Sequence, residues 1–369
     1  MSKPESLEEK LKVKLEHRKQ NNSFRRLKNS DDLIDFCSND YLGFSQTLNV
    51  KHTTISGATG SRLISGHSSQ FEELEIKIAK FHSSETALLC NSGYDANIGL
   101  FSCIADKGDT IIFDQYIHAS IRDGIGLSKA RSFSFEHNNL PSLEKKLQQA
   151  SGCVIVAVES IYSMDGDCVP LEAIITLCEK HNAHIILDEA HATGVLGDNG
   201  EGLAQHLQVQ DKLFARVHTF GKAMGCHGAV ILGSDSLKNY LINYSRSFIY
   251  STALGAHSLN SIEAAYRQLN VGDEIIQVQQ NISLFKSLLS SKLISRLIES
   301  ENPIQCFLIP GINEAKRVEA GLRAKGLNCR AILHPTVEEG KERIRICIHS
   351  FNSGQEIKLC VDCLEELIK

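Results

Sequence analysis

The sequence of 369 residues lacks any long apolar run. A membrane-spanning helix needs about 18 predominantly apolar residues in a row, and no segment approaches that length. The first twenty residues, MSKPESLEEKLKVKLEHRKQ, are charged and lack the apolar stretch of a secretory signal peptide. These absences predict a cytoplasmic protein without a membrane span.

The chain also lacks a large excess of charge of one sign, and it has few paired cysteine motifs. The formal net charge is -5, with 22% charged residues, which gives no electrostatic footprint for nucleic acid or an anionic membrane. The twelve cysteines are scattered singly, apart from the C-x-x-C pair Cys360 and Cys363. Since that pair has no second pair of ligands, we expect no metal site. The cysteine content fits a reducing compartment better than a disulfide scaffold.

Two nucleotide-binding motifs are missing. Asp188-Glu189-Ala190-His191 also occurs in nucleic-acid-dependent ATPases, but that function needs a G-x-x-x-x-G-K-[ST] loop. Gly221-Lys222 is the only candidate end for such a loop, and Arg216 and Ala223 replace its first Gly and its Ser or Thr. No G-x-G-x-x-G follows the first strand, so a dinucleotide-dependent oxidoreductase ranks last among the functions considered.

What the sequence does have is an alternation of short apolar runs with amphipathic stretches. The apolar runs predict strands at 87–90, 110–113, 153–158, 184–188, 216–220 and 228–233. Helical patterns lie between them at 71–82, 141–150 and 171–182. This alternation predicts an α/β fold, a three-layer sandwich with a mostly parallel central sheet.

Changes in this pattern predict the domains. Residues 5–28 are interpreted as a charged amphipathic helix or a solvated arm. From about residue 256 the pattern changes to a long helical stretch at 256–297, strands at 304–309 and 343–348, and a helix at 313–325. We therefore predict an N-terminal helix and arm at 1–45, a large cofactor-binding domain at 46–255, and a small α+β C-terminal domain at 256–369.

Polar residues gather at the ends of the predicted strands, where ligands collect in parallel sheets. Lys222 follows the strand at 216–220 in a Gly-containing turn, and a lysine that attacks a carbonyl needs such a partly desolvated position, because its amine must be neutral. Asp188 follows another apolar strand and can pair with a protonated ring nitrogen. Residues 91–97 are typical of an anion site before a helix, although an ordinary capping turn fits them too. His118 follows the strand at 110–113 and adds a ring at the same edge.

Taken together, these residues resemble the fold-type I pyridoxal-phosphate enzymes, and more narrowly the α-oxoamine synthases. The markers stand in the same order as in that family. They are FCSNDYLGFS (36–45), GATGSRLISGHSSQFEELE (57–75), NSGYDAN (91–97), DQYIHASIRDG (114–124), ESIYSMDGD (159–167), LDEAHATGVLGDNGEG (187–202), HTFGKAMGCHGA (218–229) and YSTAL (250–254). Any one marker would be weak, but together they cover nearly the whole chain.

The resemblance implies pyridoxal 5′-phosphate as the cofactor, held as a Schiff base by Lys222. The catalytic residues that it implies are Lys222, His118, Asp188 and His191. The cofactor-binding residues that it implies are Ser92, Gly93, Tyr94, His118, Glu159, Ser163, Asp188, His191, Thr219, Lys222, Ser251 and Thr252.

The resemblance implies that the carboxylate of Asp188 pairs with the pyridine nitrogen and that His118 stacks on the ring. His191 and Ser163 are expected near the phenolic oxygen. The phosphate is expected at the backbone of Ser92, Gly93 and Tyr94, with the hydroxyl of Thr219.

Substrate and partner follow from the same resemblance. Ser251 and Thr252 match a segment that relatives contribute to the phosphate site of the neighbouring subunit, which implies a homodimer with shared active sites. Asn39 and Arg345 are the candidates for the amino-acid carboxylate, because the planar fork of Arg binds carboxylate bidentately. Arg343 is less suited. Alternation in 343–348 places both arginines on one face, which a solvent-exposed strand face would explain equally well.

The family joins an amino acid to an acyl thioester. Ser65-Gly66-His67-Ser68-Ser69 resembles the branch that condenses L-alanine with pimeloyl-CoA or a pimeloyl-carrier protein, giving 8-amino-7-oxononanoate, CoA and CO2 in biotin biosynthesis. The family's P-P-T-V-P loop reads His334-Pro335-Thr336-Val337-Glu338 here, which leaves acyl specificity open. Serine palmitoyltransferase and 2-amino-3-ketobutyrate CoA ligase are therefore the alternatives.

Two further classes share the fold. A non-catalytic subunit or regulator would typically have lost the lysine, whereas this chain keeps Lys222, Asp188, His118 and His191. A plain aminotransferase or lyase is disfavoured by the segments at 60–66 and 163–167. We therefore predict a pyridoxal-phosphate-dependent acyltransferase.

Overall fold

The computed structural model describes residues 6–368. Residues 1–5, with the predicted start of the first helix, and residue 369 lie outside the described residues. The strands are β1 (Ile34–Asp35), β2 (Thr86–Cys90), β3 (Thr110–Asp114), β4 (Arg131–Phe135), β5 (Val154–Glu159), β6 (Ala183–Asp188), β7 (Ala215–Thr219), β8 (Ala229–Gly233), β9 (Ile304–Leu308), β10 (Leu327–Asn328), β11 (Arg330–Ile332) and β12 (Arg343–Cys347).

Helices separate most of these strands. They are α1 (Leu7–Gln20), α2 (Phe44–Thr47), α3 (Ser69–Phe81), α4 (Gly93–Cys103), α5 (Ala119–Leu127), α6 (Leu140–Gln149), α7 (Leu171–Lys180), α8 (Leu203–His206), α9 (Asp235–Tyr244), α10 (Arg246–Ile249), α11 (Ala256–Leu269), α12 (Glu274–Ser287), α13 (Ser291–Ile294), α14 (Ile312–Ala324) and α15 (Gly354–Leu367). In the described range, none of them is long and apolar enough to cross a membrane.

Seven strands form the central sheet, in the order β2-β8-β7-β6-β5-β3-β4. The pairs from β7 to β4 are parallel, and β8 runs antiparallel to both of its neighbours. Apolar, β-branched runs such as β5, whose six residues are all buried, suit strands covered on both faces.

Helices cover both faces of this sheet. Within β5, Val154, Val156 and Val158 pack into one apolar core, whereas Ile155 and Ala157 pack into another. Because successive side chains of a strand point to opposite faces, the two cores lie on the two sides of the sheet. The predicted three-layer α/β sandwich with a mostly parallel sheet is confirmed.

The C-terminal part contains a second, three-stranded antiparallel sheet in the order β11-β12-β9. Helices α14 and α15 pack against each other, and α14 also contacts β11 and β12. Strand β1, from the segment after α1, pairs in parallel with β10, with Ile34 opposite Leu327. The domain boundaries at 45/46 and 255/256 stay a prediction.

Some predicted elements are wrong in extent. The helix predicted at 5–28 ends at Gln20, because Asn21 caps it and the following residues are irregular. The long helical stretch at 256–297 is three helices, interrupted first at Asn270–Asp273, a segment that contains Gly272 and so breaks a helix easily.

Candidate active site

Three chemically active side chains lie at one edge of the central sheet. Glu159 and Asp188 are the last residues of β5 and β6 and stand opposite each other in the parallel register. Lys222 follows β7 by three residues. Because β5, β6 and β7 are adjacent and parallel, their carboxyl ends bring these groups together.

Lys222 occupies a tight turn after β7. Its carbonyl accepts the N–H of Gly225 at 2.8 Å, and the carbonyl of Phe220 accepts that of Cys226 at 2.7 Å. Burial lowers the pKa of Lys222 to about 8, and the nearby Asp188 and Glu159 carboxylates oppose that fall. At that pKa roughly a tenth of the amine is neutral at pH 7, far more than for an exposed lysine, and this neutral form is a nucleophile and a base.

The carboxylate of Asp188 is buried and held by two N–H donors. Asn97 Nδ2 donates to Oδ2 at 2.8 Å, and the backbone N–H of Ala190 donates to Oδ1 at 2.9 Å. Asn97 Nδ2 also donates to Ser120 Oγ at 3.0 Å. These bonds fix the direction of the carboxylate and stabilise its negative charge.

His118 lies beside this carboxylate. It caps α5, and its Nδ1 is 2.8 Å from Ser120 Oγ, so Ser120 links it to the Asn97–Asp188 pair. Burial lowers the pKa of His118, with the charge of Asp188 acting against it. The Glu159 carboxylate accepts the backbone N–H of His118, and burial together with Asp188 raises the pKa of Glu159.

A second network lies on the small-sheet side of the site. Tyr41 Oη is 2.8 Å from His191 Nδ1 and donates to Asn39 Oδ1 at 3.2 Å. Arg345 Nη2 donates to the same Asn39 oxygen at 2.9 Å, and its Nε donates to the carbonyl of Ser163 at 2.8 Å. Burial lowers the pKa of His191 well below its ordinary value, and the charges of Lys222 and Arg345 lower it further.

The alternative of a solvent-exposed face in β12 is wrong. Arg343 and Arg345 are only 3% and 7% exposed, because β12 is the central strand of its sheet. Arg343 is committed to an ion pair with the buried Asp165, and its Nη1 donates to the carbonyl of Met164 at 3.2 Å. Of the two arginines, only Arg345 contacts the predicted partner Asn39.

The amino end of α4 forms the remaining corner. Ser92 caps this helix by accepting the N–H of Asp95 at 3.1 Å. A Cβ atom placed on Gly93 would lie 3.2 Å from Thr219 Oγ1, so the backbone passes close to the end of β7. The Tyr94 ring meets that of His118 edge to face, with 6.2 Å between centroids. Free N–H groups at a helix start can receive an anion.

Ser251 and Thr252 stand apart from these networks within one chain. Thr252 is exposed, and its carbonyl accepts Asn91 Nδ2 at 2.7 Å, next to the helix cap at Ser92. No hydrogen bond in the described range joins either residue to Lys222 or Asp188. Ser163 reaches the site through its carbonyl, which holds Arg345.

Sequence reasoning missed Tyr41, Asn97 and Ser120. All three stand inside the quoted markers, at 36–45, 91–97 and 114–124, yet no role was predicted for them. Ser120 bonds to its near neighbour His118 and to Asn97. Tyr41 and Asn97 each make a side-chain hydrogen bond to a predicted residue that is distant in sequence. Only the fold shows which residue that is.

Comparisons with known proteins assign the chain to a family. Residues 31–360 match the family described as aminotransferase class I and II. The chain belongs to this family. The resemblance to its fold-type I members, predicted from the eight markers, is confirmed.

Individual members of the family match over most of their length. An 8-amino-7-oxononanoate synthase of Emericella nidulans is 40% identical, covering 88% of this chain and 86% of its own. An enzyme of the same name from Lysinibacillus sphaericus is 36% identical, covering 92% and 90%. 8-Amino-7-oxononanoate synthase 1 of Bacillus subtilis is 33% identical, covering 97% of each chain.

Solved structures give the same fold. The 8-amino-7-oxononanoate synthase of Francisella tularensis is 30% identical with a TM-score of 0.79, covering 91% of this chain and 98% of its own. The serine palmitoyltransferase of Sphingomonas wittichii has a TM-score of 0.89 over 98% and 99% of the chains, at 23% identity. At that identity the second likeness supports the fold alone.

Proposed function

We propose that this chain is a pyridoxal-phosphate-dependent acyltransferase that makes 8-amino-7-oxononanoate in biotin biosynthesis. It condenses L-alanine with a pimeloyl thioester and releases CoA and CO2. The observation that carries this choice is the 33–40% identity, over 88–97% of this chain, to enzymes named for that product. The serine palmitoyltransferase neighbours are less similar in sequence, at 21–23%.

The residues at the sheet edge fit the cofactor. Pyridoxal phosphate needs an amine for its aldehyde, an anion for its ring nitrogen and N–H donors for its phosphate. Lys222, Asp188 and the start of α4 at Gly93 offer these groups, and Thr219 lies against Gly93 with its hydroxyl. Substitution of the glycine would narrow this corner, which supports a cradle for the phosphate.

When bound, the cofactor supplies an electron sink for the bond broken at the substrate's α-carbon. Asp188 would keep the ring nitrogen protonated, and the two N–H donors to its oxygens hold it in place for this task. Lys222, released by the incoming amino acid, would take and return the α-proton. General base assistance of this kind contributes about 10²–10⁴-fold.

The second network would bind substrate. Arg345 and Asn39 are hydrogen-bonded to each other, so a carboxylate bound beside this pair would receive guanidinium N–H groups and the amide N–H of Asn39. His191, kept neutral by burial, would lie near the phenolic oxygen with Ser163, and Tyr41 would orient its ring. His118 would stack on the ring and polarise the thioester oxygen.

We also infer a homodimer with shared sites, in a reducing compartment such as the cytoplasm. All twelve cysteines are free, which suits that compartment. Thr252 is exposed, and in the described range no hydrogen bond joins it to Lys222 or Asp188, so its side chain is available to the phosphate of a neighbouring subunit. Light scattering should give twice the 40.7 kDa chain mass; a single-chain mass would contradict the shared site.

The test is CoA release by the purified holoenzyme. L-alanine with pimeloyl-CoA should release the thiol, and either substrate alone should not. The Lys222→Ala variant is the control for a contaminating thioesterase. Release from serine with palmitoyl-CoA instead would reassign the reaction, and release from neither pair would contradict the proposal.

A further inference from the structure

Four polar side chains at the edge of the central sheet form one continuous hydrogen-bonded chain. Asp188 Oδ2 accepts from Asn97 Nδ2 at 2.8 Å, and the same Nδ2 donates to Ser120 Oγ at 3.0 Å. Ser120 Oγ lies 2.8 Å from His118 Nδ1. Asn97 and Ser120 are only 2% and 0% exposed, so water does not compete for their bonds. In such a buried chain, the position of each proton follows from the neighbouring groups.

The charge of Asp188 sets the direction of the first link. A carboxylate only accepts hydrogen bonds, so the amide of Asn97 must turn its Nδ2 toward it. The reverse orientation would place Asn97 Oδ1 against the carboxylate oxygen. Within residues 6–368 this Oδ1 is buried and has no hydrogen-bond partner, so the bonds of Nδ2 alone decide the orientation. The second N–H of Nδ2 therefore points at Ser120 Oγ.

Ser120 passes this direction on to the ring of His118. Because Ser120 Oγ accepts from Asn97, its own O–H can donate, and His118 Nδ1 is the acceptor within reach. The backbone N–H of Ser120 also donates to Nδ1, at 3.2 Å, where His118 caps α5. Two donors converge on Nδ1, so this nitrogen is unprotonated. The proton of the neutral ring therefore lies on Nε2.

The other ring nitrogen of His118 is left for a ligand. In the part of the chain that the structure describes, the side-chain hydrogen bonds of His118 all involve Nδ1. Burial, helped by the charge of Lys222 and opposed by that of Asp188, lowers the pKa of His118 from its ordinary 6.5, so the ring is neutral above pH 7. A neutral ring with its proton on Nε2 can donate to an oxygen there but cannot accept a proton.

We propose that Ser120 is a positioning residue that holds His118 in the Nε2–H tautomer, as a hydrogen-bond donor to a carboxylate or carbonyl oxygen of the substrate. The inference rests on the proposed function, since it concerns a proton of the same site. Ser120 is itself buried and acts through the ring of His118. Lys222 is then the base of the site, because His118 has no lone pair free for the ligand.

The test is nitrogen NMR of the holoenzyme labelled with ¹⁵N-histidine, recorded at pH 8 without substrate. The signals of His118 are assigned by their absence from the spectrum of His118→Gln. We expect a protonated Nε2 and an unprotonated Nδ1 in the wild type. A protonated Nδ1 would overturn the proposal, whatever the variants of Ser120 do.

Ser120→Ala removes the shorter of the two bonds to Nδ1, so the Nδ1 signal should shift toward that of a nitrogen without a hydrogen bond. Its rate of CoA release should fall about tenfold, as for the loss of one hydrogen bond. Ser120→Thr keeps the hydroxyl and should restore both. Ser128→Ala is the matched control, because it removes a hydroxyl at the other end of α5. An Nδ1 signal that is unchanged in Ser120→Ala, or equally changed in Ser128→Ala, would overturn the proposal.

The ring signals are independent of the reaction, because they are recorded without substrate. The expected tautomer without CoA release from alanine and pimeloyl-CoA would support the role of Ser120 and contradict the proposed reaction. CoA release by an enzyme whose His118 carries its proton on Nδ1 would do the reverse.

Discussion

Lys222 combines a nucleophilic amine with a position fixed by the backbone turn after β7. Lys222→Ala should abolish the visible absorbance of bound cofactor, because no amine remains to hold the aldehyde. Lys80→Ala, an exposed lysine on α3, should leave the spectrum unchanged. Absorbance of dialysed protein, with circular dichroism to verify folding, makes the comparison. Absorbance retained in Lys222→Ala would remove the residue from its role.

Substitution of Asp188 tests whether its negative charge matters at the same site. Asp188→Asn keeps the shape of the side chain but removes the negative charge that would face the ring nitrogen. We expect turnover to fall by about 10²–10³-fold, the range seen when one preorganised electrostatic group is removed. Cofactor content should largely persist. Asp211→Asn, at a surface turn, serves as the control, and normal turnover in Asp188→Asn would refute the role of the charge.

Candidate site residues could be predicted where a polar residue stands at the end of an apolar strand or within four residues after it. Asp188 ends β6, and Lys222 and His118 follow β7 and β3 by three and four residues. Tyr41 and Asn97 escaped this rule, because they lie in an irregular segment and on a helix and act by holding predicted residues. Their partners are far away in sequence, so no local pattern reveals the contact.

At the scale of elements, the turn before α4 depends on Gly93. Gly93→Ala would place a Cβ atom 3.2 Å from Thr219 Oγ1 and 3.3 Å from its Cβ, tighter than ordinary contact. We expect weaker cofactor affinity with an intact fold, measured by titration of apoenzyme with pyridoxal phosphate. Gly126→Ala on α5, where nothing lies within 4 Å, should leave affinity unchanged. Equal affinity in both variants would argue against a phosphate site at α4.

Buried strands could be predicted from the sequence, whereas exposed or very short strands could not. The buried β5, β6 and β7 differ from their predicted bounds by one residue, because an apolar run marks a strand covered on both faces. Strand β4 was missed. It lies at the sheet edge with four of its five residues exposed, so RSFSF carries no such run. The two-residue strands β1 and β10 are too short to leave any periodicity.

At the scale of the whole molecule, His137 lies between two carboxylates at the end of the central sheet. Its Nδ1 is 2.9 Å from Asp114 and its Nε2 is 2.8 Å from Asp167, while Tyr116 stacks on the ring. The hydrogen bonds and charges of both carboxylates outweigh burial and raise the pKa of His137 to about 9. The imidazolium is therefore favoured in the folded chain.

The raised pKa of His137 sets a pH dependence. The folded-state pKa exceeds the ordinary value of 6.5, so this stabilisation is complete below pH 6.5 and is lost as pH rises toward 9. The free energy of unfolding in urea should be lower for His137→Gln than for wild type by up to roughly 3 kcal/mol at pH 6, because solvent screens part of the charge interaction. The difference should shrink by pH 9; a constant difference would contradict a charged His137.

The pairing of β1 with β10 has a consequence for biosynthesis. Asn39 and Tyr41 follow β1 closely, and Ile34 finds its partner only at Leu327. A ribosome must therefore translate past residue 328 before the early segment can dock. Arg345, which binds Asn39, emerges later still. The pocket proposed for the amino-acid carboxylate would thus be completed near the end of translation. A nascent chain stalled before that point would contain Lys222 but would lack the Arg345 partner of Asn39.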